Sequence, residues 1–181
     1  MKVTSTDLPG VVVVEPKAFG DDRGFFLESY NKRAFAAAGL PENFVQDNHS
    51  RSQHNVLRGL HYQIKQPQGK LVHVVAGEIF DVAVDIRRSS KHFGKWTAVL
   101  LNAKDHRQLW VPPGFAHGFL VVSKSADVMY KTTDYYAPEH ERSIIWNDPS
   151  IAIAWPIKSV PLLSSKDMDA PLLEQAEVYD S

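Results

Sequence analysis

Cysteine is absent from the 181 residues. Disulfides, cysteine–zinc sites and thiol nucleophiles are thereby excluded, and a reducing compartment, the cytoplasm, is the expected location. Charge of one sign is not in excess either: 20 basic and 21 acidic residues give a formal net charge of -1. A general nucleic-acid binder usually shows a basic surplus, so that class is set aside, while a local cationic pocket for one phosphorylated ligand stays open. Long apolar runs are missing. Val11–Val14 and Phe119–Val122 are far too short to span a bilayer, and Met1–Asp7 lacks the apolar stretch of a signal peptide. No membrane partner is therefore expected. The eight histidines form no HExxH pattern and no His-x-His pair in one strand, which leaves little case for a metal. No repeat, low-complexity tract or Gly/Ser linker divides the chain. One domain over residues 1–181 is expected, with a core over about 8–150 and a terminal segment of about 151–181 packing on it.

What is present is a series of short strands rich in Val, Ile, Phe, Tyr and Trp. They are predicted at Val11–Glu15, Gly24–Tyr30, Phe44–Ser50, Val56–Gln63, Leu71–Val75, Glu78–Ile86, Trp96–Leu101, Gln108–Val111, Gly118–Val122 and Val128–Thr133. Turn residues such as Pro9-Gly10, Gln68-Gly69, Ala76-Gly77 and Pro112-Pro113-Gly114 separate them. Many short strands at this spacing predict an all-β sandwich or barrel with a few short helices. One helix is expected after an Asn31 cap, ended by Gly39 and Pro41. A second would start at Ser164 or Ser165, with Asp167 in its first turn. Pro149, Pro156, Pro161 and Pro171 break the rest of the tail.

Several segments hold residue types suited to chemistry. Val56–Gln63 carries Arg58, whose planar fork suits phosphate oxygens, and His61, suited to proton transfer near neutral pH. Strict alternation puts these two on opposite faces, and a bulge at Gly59 would be needed to unite them. A core histidine and a surface arginine would read the same way. Lys70 opens a strand after a turn, as an oxyanion partner or as a solvated edge charge. His117 follows a rigid Pro-Pro-Gly turn and precedes Gly118, where another group can approach closely. Tyr130 fits a general acid or a packed ring. Tyr136 would stack on a planar base or serve an interface. Arg23 sits in a polar turn, Gln46 and Asn48 share a strand face, and Glu141, Lys166 and Asp167 read alone as surface charges.

Taken in order, Phe19–Phe26, Phe44–Ser50, Val56–His61, Gln68-Gly69-Lys70, Phe80–Arg87, Pro113–Phe119 and Leu163–Asp167 resemble the dTDP-4-dehydrorhamnose 3,5-epimerases. The resemblance runs from about Leu8 to the last turns of the chain. It implies a cupin-like jelly roll, usually a homodimer, working without metal or organic cofactor. Pro112–His117 is similar to the second cupin motif, while the metal-binding histidine pair of the first is lacking. The implied ligand is a dTDP-sugar. His61 would be the base, Tyr130 the acid on the opposite face, Asp167 the partner of His61, and Lys70 the cation at the enolate oxygen. Arg23 and Arg58 would hold the diphosphate, and Tyr136 would stack on thymine. Glu28, Gln46, Asn48, His117, Glu141 and Lys166 match positions that contact substrate. His117 would be oriented by Asp81 or Asp85, and part of Arg23–Glu28 would serve a partner subunit. The rival readings are an epimerase inverting only C3 or C5, a keto-isomerase, a non-catalytic sugar-nucleotide-binding cupin and a metal-dependent oxygenase.

Overall fold

The computed structural model describes residues 1–180. Its strands are β1 (Lys2–Ser5), β2 (Val12–Glu15), β3 (Ala18–Asp21), β4 (Gly24–Leu27), β5 (Gln46–Gln53), β6 (Leu57–Gln63) and β7 (Lys70–Ala76). They continue with β8 (Glu78–Asp85), β9 (Trp96–Asn102), β10 (Gln108–Val111), β11 (Phe115–Val121), β12 (Ser125–Thr132) and β13 (Glu141–Ser143). The helices are α1 (Lys32–Ala37) and α2 (Ser165–Met168). A six-stranded sheet has the order β1-β2-β10-β7-β12-β5, a five-stranded sheet the order β13-β6-β11-β8-β9, and β3–β4 stands apart as a hairpin. The pairings between these strands are antiparallel. The two sheets face one another, forming the expected cupin-like jelly roll.

Alternation along the strands makes two apolar layers. Val72, Val74, Ile79, Leu109, Phe119, Val121 and Val128 meet between the sheets. Residues of opposite parity, among them Leu60, Tyr62, Val82, Val84 and Leu120, form a second layer outside the five-stranded sheet. The terminal segment covers that layer with Ile151, Trp155, Leu173, Ala176 and Val178. A third cluster seats Phe35 of α1 on Val14, Leu71 and Trp110. The helix begins where Asn31 accepts a hydrogen bond from the Ala34 amide at 3.1 Å. Among the described residues, no helix is long and apolar enough to cross a membrane.

Candidate active site

Arg58 and His61 reach the same cavity because β6 is bulged. Arg58 is paired with Phe119 and His61 with His117, so β6 takes three steps where β11 takes two. The extra residue falls at Gly59–Leu60, and Gly59 has φ 126°. A Cβ on Gly59 would stand 2.5 Å from Gly118 Cα, and one on Gly118 would stand 2.7 Å from the Arg58 carbonyl oxygen. Neither position admits a side chain without moving backbone. The glycine of each strand is therefore what lets the other strand approach.

His61 is held from the far end of the chain. Its Nε2 lies 2.5 Å from Asp167 Oδ1. The other carboxylate oxygen accepts from the Ser164 hydroxyl at 2.8 Å, and Ser164 in turn accepts from the Asp167 amide at 3.2 Å as the cap of α2. Asp167 is 2% exposed, not the surface charge that its local sequence suggests. Burial pushes its carboxyl upward, but the hydrogen bond and charge of His61, the Ser164 hydroxyl and the nearby Lys166 together hold it below the usual carboxylate range. An ionised Asp167 accepts a hydrogen bond from the Nε2–H of His61, which leaves Nδ1 as the basic nitrogen of the ring.

The opposite wall comes from the six-stranded sheet. Lys70 pairs with Thr132, and Tyr130 lies between Asn48 of β5 and Val72 of β7. Lys70 is 9% exposed rather than solvated, and its Nζ donates to the His61 carbonyl at 3.4 Å. Burial lowers its pKa to about 8, against the opposing charges of Glu141 and Asp81 and with a further push from Lys166. Burial raises the Tyr130 hydroxyl; the Arg58 guanidinium pulls it down and Glu141 adds to the rise. The phenol is thus protonated at neutral pH and available as an acid.

Around the mouth the polar groups connect. The Tyr136 hydroxyl donates to Glu141 at 2.8 Å, and Glu141 pairs with Lys166. The Tyr136 amide donates to Gln46 at 3.0 Å, and Gln46 donates to Asn48 at 2.9 Å. Arg58 Nε donates to Ser52 at 3.0 Å. His117 is buried and its Nε2 lies 2.8 Å from Asp81, which settles the choice between Asp81 and Asp85. Asp85 instead accepts from Arg87 and Ser90. Among the described residues, no group of three or more His, Asp or Glu is placed to hold a metal ion.

A family model described as dTDP-4-dehydrorhamnose 3,5-epimerase matches residues 5–175. The chain belongs to that family. A dTDP-4-dehydrorhamnose 3,5-epimerase of Pseudomonas aeruginosa is 58% identical over 99% of each chain. One of Salmonella typhimurium is 56% identical over 97% of each. The crystal structure of dTDP-6-deoxy-D-glucose-3,5-epimerase from Legionella pneumophila, in complex with dTDP-4-keto-L-rhamnose, superimposes with a TM-score of 0.96. It is 51% identical, with 99% of this chain and 98% of that one covered.

Two expected site residues of this family member lie apart from the group around His61. Arg23 is on the exposed β3–β4 hairpin, where it pairs with Asp21 at 2.5 Å. Glu28 accepts from Asn31 at 3.2 Å. Conversely, Ser52, which accepts from Arg58, and Ser164, which donates to Asp167, support the site although neither is among the expected site residues. Ser52 continues the inward parity of Gln46 and Asn48. Ser164-x-x-Asp167 has the spacing of a helix cap whose acidic third residue answers the cap.

Proposed function

We propose that this protein is a cofactor-free isomerase that converts dTDP-4-dehydro-6-deoxy-D-glucose to dTDP-4-dehydro-L-rhamnose by inverting C3 and C5. The observation that carries the reading is a carboxylate-held histidine on one sheet whose carbonyl is reached at 3.4 Å by a buried lysine of the other, with the Tyr130 hydroxyl of that second sheet close enough to feel Arg58 and Glu141 of the first. The names of the relatives, and the sugar nucleotide bound in the Legionella structure, support the same substrate class.

The hydrogens at C3 and C5 lie alpha to the C4 ketone. His61 Nδ1 takes one of them, and the electron pair moves onto the C4 oxygen as an enolate. Lys70 stabilises that oxygen with its ammonium group. Tyr130 then returns a proton to the carbon from the opposite face, which inverts it; the imidazolium of His61 gives its proton up to solvent and the phenolate takes one back, so that both groups are reset for the second carbon. Asp167 stabilises the imidazolium and fixes the ring. Arg58 binds the diphosphate, Tyr136 stacks on the base, and Gln46, Asn48, His117, Glu141 and Lys166 complete the contacts. The active form is a homodimer in which the β3–β4 hairpin carries Arg23 and Glu28 to the partner's site. Phe25 and Phe26, 64% and 68% exposed on that hairpin, support this. A cytoplasmic location belongs to the same reading.

Proton NMR of the purified, chelator-treated protein with the substrate in deuterium oxide tests it. Deuterium at both C3 and C5, with the L-rhamno product, is expected. Exchange at one carbon would replace the reading with a single-site epimerase. No exchange with dTDP still bound would leave only a sugar-nucleotide-binding protein.

A further inference from the structure

Asp81 is a charge with too few partners. It sits on β8 with its side chain between the sheets and is 0% exposed. Oδ1 holds His117 at 2.8 Å, while Oδ2 is buried with no hydrogen-bond partner. A buried carboxylate left half-satisfied is costly and needs an account. The nearby residues of its own sheet that face inward, Ile79, Ala83 and Phe119, are apolar and offer no donor. The nearby cation comes from across the barrel: the Nζ of buried Lys70 donates at 3.4 Å to the carbonyl of His61, which pairs on the adjacent strand with the His117 that Asp81 holds.

We infer that Asp81 is a positioning residue for the epimerisation: it clamps His117 with one oxygen and, with the other, supplies the negative charge that keeps Lys70 an ammonium group where the enolate oxygen forms. The inference rests on the role given to Lys70 above. Burial drives the lysine toward its neutral form, and a neutral amine would stabilise an enolate far less. The charged groups acting on Lys70 are Asp81 on β8, Glu141 on β13 and Lys166 on α2. The other ionisable side chains on the facing strands are His61 on β6, His117 on β11 and Tyr130 on β12. Glu141 is already committed to Lys166 and Tyr136. Asp81 has an oxygen to spare. Because it accepts from His117 Nε2, it also sets which nitrogen of that ring remains for the substrate.

The test is the pH dependence of kcat/KM for the full-length wild type, Asp81→Asn and Asp81→Glu. Asparagine can still accept from His117 but carries no charge; glutamate keeps the charge and disturbs the geometry. Asp81→Asn is expected to move the alkaline limb, where Lys70 loses its proton, down by about one pH unit or more. Its kcat at pH 8 should fall about ten-fold, with KM and dTDP affinity little changed. Asp81→Glu is expected to lose turnover yet keep the wild-type limb. A wild-type profile in Asp81→Asn overturns the inference, and so does a limb displaced equally in both variants. If Asp81→Asn does not fold, a displaced limb in Asp81→Glu is by itself contradictory. Failure of the wild type to turn over would strike the proposed function instead, so the two failures are distinguishable.

Discussion

The two ends of the barrel interior are built from the same strands and have opposite characters. On β12, Ala126 and Val128 join the apolar cluster, while Tyr130 and Thr132 continue the same face as polar groups. On β7, Val74 and Val72 give way to Lys70. On β11, Val121 and Phe119 give way to His117. Thr132 pairs with both Lys70 and Gln46, so the polar positions collect at one end of the six-stranded sheet. One end supplies the burial that drives folding. The other concentrates a cation, a phenol, two histidines and a buried carboxylate, which folding alone does not favour. The site is thus the place where the alternating pattern keeps its period and changes its chemistry.

Substitutions that exchange these characters should separate stability from turnover. The largest effect is expected at the apolar end. Val128→Asp buries an unpaired charge and should cost on the order of 5 kcal/mol, much of a domain's stability, so that denaturant unfolding finds little folded protein. At the polar end, His61→Ala should lower kcat by about 10³-fold, roughly 4 kcal/mol, with dTDP affinity and unfolding midpoint nearly intact. Lys70→Met should do both things in opposite directions. Its ammonium group is held at a pKa of about 8, below the ordinary 10.5, so the charged form opposes folding at neutral pH. The unfolded chain keeps the proton that the folded one loses, so the wild type should gain stability from this group as pH rises from about 8 to 10.5. Lys70→Met should lack that rise, be about 1–3 kcal/mol more stable at pH 7 and turn over no substrate. The smallest effect is expected at the mouth. Tyr136→Ala should raise KM about five-fold, roughly 1 kcal/mol, with kcat unchanged.

The alternation of the long strands was legible because a two-residue period survives wherever one face is buried. The cap of α1 was legible in Asn31 and Gly39. β1 was not: all four of its residues are exposed, so no pattern marks it. β11 begins at Phe115 and not at Gly118, because the turn ends at Gly114 and the strand takes up at once. β13 spans only Glu141–Ser143, too short for a period to declare itself. In the site, residue types could be read and geometry could not. Asp167 looked solvated because its burial depends on His61, far away in sequence, and on the terminal segment folding back. The Gly59 bulge could be named as a condition for uniting Arg58 and His61, but its partner Gly118 is known only from the pairing of β6 with β11. The family resemblance supplied the roles that local reading left open.

The central claim is that proton transfer is divided between two walls of one cavity, with His61 removing protons and Tyr130 returning them. Tyr130→Phe, incubated with the substrate in deuterium oxide and followed by proton NMR, tests it most directly. The account predicts that exchange survives at one or both carbons, since His61 still forms the enolate, while the product is inverted at fewer centres or none. A Tyr130→Phe protein that gave the wild-type proportion of doubly inverted product would contradict the account.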